Sequence, residues 1–417
     1  MIQRSLAAAL VSLGFSFAAA LSHAADKVAT DEALNPDASA FFGKYRIPAH
    51  GELAYAIAGL GAPTGADNLS FGKKWVDAFL AGKPLRQELL EVQWDADSID
   101  CWLHEYPRMD AKKCASDSEV SRMLLKNQEI LGRLRHLTKL APENGALWLR
   151  AGGYLSAVKL ALIDISLDAR QLRTKRALDK WLHLHRFLTG MSSTGTSWVE
   201  TAINLVNEGS SLAVLEDLLL RAKELTPDDE RKIESALGNV GLERFQIPNI
   251  LRSEYALLME MYASHPQKDR LLPNFMTNRQ YCYSKNVLAY VGEANLSARD
   301  KVHAQACPLD ISAAKKNARY AESVELLGSS IDRVPTSLID SMFDKSARIS
   351  ALLVQMRIKR QNIAEPRIPK FLAGLKKTEP RLFPSDTEVL WDAEKRLLVA
   401  THPRIRGAVE IRIWPSR

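Results

Sequence analysis

The chain has 417 residues, a formal net charge of +7 and four cysteines. Its basic excess is spread thinly, and clusters such as Arg173-Lys175-Arg176 and Lys376-Lys377 read as solvated helix faces. A nucleic-acid stripe would need aromatics among them, so nucleic acid is not an expected partner.

The N-terminal residues 1–24 combine Arg4, an uncharged apolar run from Leu6 to Leu21 and the small-x-small triplet Ser22-His23-Ala24. That is the form of a secretory signal peptide. The run is shorter than the ~20 residues a spanning helix needs and is diluted by Ser and Gly, so cleavage is expected over retention as an anchor. Cleavage lowers the net charge to +6, since the segment carries one Arg and no acid. The expected product is a soluble chain outside the cytoplasm. No later segment stays apolar long enough to span a bilayer.

Residues 25–68 mix Pro, Gly and polar residues and read as an extended lead-in with one apolar piece, "ELAYAIAGLGAP". A helical domain is expected over 69–362. Between Pro142 and Pro227 there is no proline. Residues Trp148, Ala151, Leu155, Val158, Leu162, Ile165, Ala169 and Leu172 recur at steps of three and four, which lines one face of a helix. A second helix follows through Leu178, Trp181, Leu182, His185 and Leu188. The stretch "FLTGMSSTGTSWVETAINL" at 187–205 then reads as a helix stop at Gly190, a turn, and a helix start at Ser197 with Glu200 in capping-box position. The same grammar appears at Ser116–Glu119 and at Thr226–Asp229, where Pro227 suits the first helical position. Residues 363–417 are expected to be a Pro-rich linker and a small β-meander packed on the helices. Here "TEVLWDAEKRLLVAT" reads strand, turn, strand, and "AVEIRIW" alternates as a third strand. The fold class is therefore mainly α, with stacked antiparallel helices in an irregular array.

Export makes disulfides the expected state of the cysteines. Four cysteines allow three connectivities. The local pairing, Cys101 with Cys114 and Cys282 with Cys307, is preferred because each pair brackets a short polar segment poor in helix signals. Neither pair has CxxC spacing, and only Cys307 has a histidine near ligand spacing, His303, so no metal is expected.

Catalytic templates fail on spacing. "GMSSTG" at 190–195 is not G-x-S-x-G and lacks the Gly-Lys-Ser/Thr ending of a phosphate loop. Ser-x-x-Lys occurs at Ser70–Lys73, Ser156–Lys159 and Ser312–Lys315 without the Ser-Asp-Asn or Lys-Thr-Gly of an acyl transferase. Glu234-Ser235 in "RKIESALG" is similar to the acid of all-helical lytic transglycosylases, but the Gly-Leu-Met-Gln segment of those enzymes is missing. His183 and His185 sit two apart and point about 200° from each other on a helix, so they cannot share an ion; one faces the core. Histidines 104, 136, 265 and 303 stand alone. Tyr281, Tyr283 and Asn274 are expected to decorate a disulfide-tied loop around Cys282.

Five segments carry a resemblance. They are "AYAIAGLGAP" at 54–63, "DCW" at 100–102 with Cys114 downstream, "LLKNQEILGRLRHL" at 124–137, "LLPNFMTNR" at 271–279 and "VLWDAEKRLLVA" at 389–400. In these the chain resembles a set of exported, mostly helical proteins of Gram-negative bacteria with no named activity. The resemblance covers most of the mature chain. It implies a helical envelope protein with Cys101 paired to Cys114, and it implies no activity, cofactor or partner. The chain departs from the pattern at "FMTNRQYCYSKN", where the relatives are rich in Gly and Asn and lack the cysteine.

The expectation is a non-catalytic periplasmic binding or scaffold protein, with an envelope protein or cell-wall component as partner and no cofactor. The alternative is an all-helical peptidoglycan hydrolase or lytic transglycosylase with Glu234 as its acid. Non-reducing peptide mapping is expected to link Cys101 to Cys114 and Cys282 to Cys307; free thiols or crossed links would refute the pairing.

Overall fold

The chain becomes helical earlier than its composition suggests. In the computed structural model, Asn35 accepts the Asp37 N–H and Pro36 holds the first position of α1 (Pro36–Phe42). This lead-in is pinned from a distance. Asn278 takes the Asn35 N–H at 2.8 Å and donates to the Ala33 carbonyl at 2.9 Å, while Phe42 stacks on Tyr255 with ring centroids 3.9 Å apart. The structure describes residues 33–43, 51–80, 90–93, 102–103, 114–141, 151–194, 197–222, 225–238, 245–264, 271–293, 335–383, 387–402 and 407–413. The expected signal peptide, Cys101, Cys307, His104, His265, His303 and Ser312–Lys315 lie outside them.

Next, α2 (Glu52–Ala58) runs into a 3-10 turn at Gly59–Gly61 and lies against α3 (Asn68–Leu80). Two helices thus occupy the segment read as extended. The reason is that Leu53, Ala54, Ala56, Ile57 and Ala58 are all buried, and small residues let the next helix approach closely. A Cβ on Gly72 would lie 1.8 Å from the Tyr55 carbonyl oxygen. α4 (Asp117–Lys126) starts with a full capping box between Ser116 and Glu119, and α5 (Gln128–Leu137) follows. From α5, Arg133, only 8% exposed, donates to the carbonyls of Leu60 (3.1 Å) and Pro63 (2.9 Å) and pairs with Glu129 at 2.6 Å. Two of the segments that carry the resemblance therefore meet through one guanidinium.

The centre is a set of long antiparallel helices, α6 (Ala151–Arg170), α7 (Thr174–Thr194) and α8 (Trp198–Arg221), packed pairwise on one another. The predicted stripe of α6 is buried at Val158, Leu162, Ile165 and Ala169, and that of α7 at Leu178, Trp181, Leu182, His185 and Leu188. Leu172 departs from the stripe and is 61% exposed. Gly190 does not stop α7, which runs on to Thr194. Met191 is buried and its carbonyl accepts from Asn204, so packing extends the helix past the glycine. α8 starts where the sequence places it, with the serine half of the box: Ser197 accepts the Glu200 N–H at 3.1 Å.

Beyond it come α9 (Pro227–Leu237), α10 (Ile247–Ser264) and α11 (Pro273–Gly292). Thr226 and Asp229 form the full box with Pro227 at the first position of α9. Cys282, Tyr281, Tyr283 and Asn274 lie within α11, not in a loop. Phe275, Met276, Val287 and Tyr290 give that segment one buried face after Pro273, which overrides its polar composition. α12 (Thr336–Arg360) is buried at every residue from Ile349 to Ile358 because α8 and the sheet cover it from different sides. After α13 (Ile368–Thr378), strands β1 (Glu388–Asp392), β2 (Leu397–Thr401) and β3 (Val409–Arg412) form an antiparallel meander in the order 1-2-3. Its buried residues Val389, Leu398, Ala400 and Ile411 alternate along the strands, and β2 and β3 pack on α12. The C-terminal meander is as the sequence indicates.

Alanine is favoured over glycine in a helix by about 1 kcal/mol, yet Gly72→Ala is expected to destabilise the protein by about 2 kcal/mol or more through the clash with Tyr55. A urea midpoint unchanged or raised would refute the close crossing of α2 and α3.

Candidate functional site

Steps of four along α12 place Asp340, Asp344 and Arg348 in one row, with Ser341 and Lys345 beside it. These five side chains line a cavity of about 620 Å³ whose other walls are Gly209 of α8 and Gly407–Glu410 at β3. From α11, the Tyr290 hydroxyl donates to Asp340 at 3.1 Å. Asp344 is exposed at the mouth of the groove, yet partial desolvation by the groove walls raises its pKa, the neighbouring Asp340 charge raises it further, and Lys345 and Arg348 oppose both. Arg348 is held by Glu216 at 3.0 Å, and the other oxygen of Glu216 accepts the Arg412 N–H at 3.3 Å. At the rim Lys395 pairs with Glu410 at 3.1 Å. The groove thus presents carboxylates and cations side by side.

Gly209 ties this groove to the interior. A Cβ at that position would lie 2.6 Å from the Lys345 Nζ, so the bare backbone of α8 is what lets the lysine lie across it. Lys345 is 8% exposed. Behind Gly209, the inward face of α8 carries Glu200, Asn204, Asn207, Glu208 and Ser211, all nearly or fully buried. Opposite them, α7 supplies His185, whose Nδ1 lies 3.0 Å from the Ser211 hydroxyl and whose ring stacks on Trp181 at 4.5 Å. Trp181 donates its indole N–H to the Ser211 carbonyl at 2.9 Å, and Ser192 donates to Glu208 at 3.4 Å. On α6 the Tyr154 hydroxyl sits beside Asn207; burial pushes its pKa up, and Asn207 acts the other way. His185 and Ser211 have the chemistry of a nucleophile and its base, but both are fully buried and meet no groove in the described structure.

The candidates read from the sequence fall elsewhere. Glu234 lies on α9, and its carboxylate is engaged by the guanidinium of Arg357. Arg357 also pairs with Glu379 at 3.0 Å and approaches Glu230 at 3.8 Å, and Arg360 holds Glu230 at 2.8 Å. This network joins α9, α12 and the residue after α13, and none of its members lines the groove. Neither Cys114 nor Cys282 carries a free thiol, and with Cys101 and Cys307 outside the described residues the expected pairing lies outside them too. His183 is exposed while His185 is buried, as two residues 200° apart require. Ser156–Lys159 sits on α6 and Ser70–Lys73 on α3, where the Ser70 N–H donates to the Asp67 carboxylate at 2.8 Å as the helix begins. Among the described residues no three ligand-type side chains cluster as a metal site.

Asp340, Asp344, Lys345 and Arg348 were not singled out in the sequence. Their signal, carboxylates four apart followed by cations in "LIDSMFDKSAR", is shared by many solvated helix faces. The chain matches no family model, no curated protein and no solved structure. The groove is therefore read from its geometry alone.

An acid whose folded pKa is raised stabilises the fold below its unfolded value, near 3.8 for Asp, and that contribution is lost as pH rises through the folded value. Asp344→Asn is thus expected to raise the thermal midpoint at neutral pH and leave it unchanged at about pH 3. Equal effects at both pH values would refute a raised pKa at Asp344.

Proposed function

We propose that the protein is a non-catalytic helical binding protein of the cell envelope. It takes a zwitterionic cell-wall fragment in the groove between α8, α12 and β3. The observation that carries this reading is the pairing of opposite charges along one row of α12. Asp340 and Asp344 suit an ammonium group, and Lys345 and Arg348, one turn away, suit a carboxylate. Peptide-bearing cell-wall fragments carry both groups. A net surplus of one charge would favour a simple anion or cation instead; here two carboxylates are followed by two cations, which favours a ligand with both.

The hydrolase alternative draws no support from the position of Glu234. A general acid has to reach the leaving-group oxygen, and here the Arg357 guanidinium occupies the carboxylate. The reading of export and periplasmic residence rests on the N-terminal segment alone. Among the described residues no helix is long and apolar enough to cross a membrane.

Purified protein titrated with muropeptides in a calorimeter is expected to bind them and return them with unchanged masses. Asp340→Asn combined with Asp344→Asn is expected to weaken binding by about tenfold or more, the loss of one charge-assisted contact. Cleavage products that vanish in Glu234→Gln would overturn the binding reading, as would affinity indifferent to the two aspartates.

A further inference from the structure

Two helices of this protein end in the same hydrogen-bonded motif with different residues at its critical position. At the end of α12 the Ile363 N–H bonds to the Ile358 carbonyl and the Asn362 N–H to the Lys359 carbonyl at 3.1 Å each. Asn362 lies between them at φ 48°. At the end of α6 the Arg173 N–H bonds to the Asp168 carbonyl at 2.9 Å and the Leu172 N–H to Ala169 at 3.1 Å, with Leu172 at φ 58°. This left-handed position is one that glycine takes without cost and asparagine tolerates. Leucine does neither, and packing does not repay it, because the side chain is 61% exposed. Of the exposed large apolar residues Leu34, Leu125, Leu172, Met261 and Leu390, only Leu172 has a positive φ. A scattered surface leucine needs no explanation; a leucine held outward by a conformation that disfavours it does.

Its surroundings are strongly basic. Residues 168–180 contain Arg170, Arg173, Lys175, Arg176 and Lys180 against Asp168 and Asp179. Asp168 is 1% exposed and organises the cations from beneath: Arg173 at 2.5 Å, Arg176 at 3.1 Å and Lys180 at 2.7 Å, with Lys180 shared by Asp164. Arg170 turns away to Asp117 and to the face of Trp102. Arg173 and Arg176 nevertheless remain 44% and 60% exposed, and Lys175 is exposed between them. One projecting apolar side chain beside two arginines held by Asp168 and the exposed Lys175 is too small for a stable protein interface. It matches an anionic bilayer, where the leucine enters the acyl boundary and the cations remain among the headgroups.

We propose that the turn between α6 and α7 is a peripheral docking site for anionic phospholipid membranes, with Leu172 as the inserted side chain and Arg173, Lys175 and Arg176 as its basic collar. This surface is independent of the groove on α12, and its failure would leave the binding reading untouched. The full-length mature chain is mixed with vesicles of phosphatidylcholine alone or of phosphatidylcholine and phosphatidylglycerol in equal parts, and bound protein is separated by flotation.

Wild type is expected to float with the anionic vesicles only, and less so as salt is raised. Leu172→Gly is expected to lower that binding by about tenfold, while the thermal midpoint stays or rises because the strained conformation now suits its residue. Lys175→Gln is expected to lower binding by about fivefold. Leu125→Gln, at a leucine equally exposed but at the far end of α4 from the Asp117–Arg170 pair, is expected to bind as wild type. Absence of wild-type flotation, equal binding to neutral vesicles, or a Leu172→Gly protein that floats like wild type would each overturn the proposal. So would a Leu125→Gln loss as large as that of Leu172→Gly.

Discussion

The burial of α8 is the constraint on which the rest of the structure depends. Fifteen of its twenty-four residues are buried, so α6, α7, α12 and β3 must surround it, yet one strip of that buried surface is polar. Buried polar groups cost free energy unless hydrogen bonds replace those lost to water. The partners have to stand at fixed heights: Trp181 and His185 meet Ser211, Ser192 meets Glu208, and the Met191 carbonyl meets Asn204. An apolar interface would tolerate a slip of one turn between α7 and α8, whereas this seam does not. The register of α8 then decides where Gly209 faces α12, and so where Lys345 lies and where the groove opens.

A second theme is the use of cations to close helix ends. Lys359 donates to the carbonyls of Leu219, Leu220 and Ala222 at the end of α8. Burial lowers its pKa to about 8, while the carbonyl end of a helix favours the charged form. Arg133 does the same for the turn after α2, and Arg357 gathers Glu234, Glu379 and Glu230 at the end of α12. Many charges that a local reading treats as candidate chemistry are satisfying backbone or joining helices. Arg133 and Asn278 bridge distant parts of the chain through main-chain groups.

Local signals were legible where the physics is local. The boxes at Ser116 and Thr226 and the cap at Ser197 appear in the structure because a cap needs only residues within one turn. The three strands were readable because period-two alternation follows from strand geometry. Reading failed where burial overrode composition. Gly190 sits inside α7 because Met191 is buried beyond it, and "NRQYCYSKN" is helical because an apolar face runs through it. Leu172 fitted the stripe of α6 by spacing, but the helix ended at Arg170, two residues before it, and the chain turned.

What the sequence by itself determined is the class of structure: periodic apolar faces make helices, alternation makes the meander, and caps place the boundaries. Only the tertiary structure decided which charges meet. Asp340 and Asp344 stand beside Gly209 and β3 because α12 packs on α8 and carries the sheet. Glu234 meets Arg357 because α9 crosses the end of the same helix. Spacing along a chain specifies neighbours within a turn, while a site assembled from separate helices depends on how their buried faces fit. That fit is set by the whole set of contacts at once.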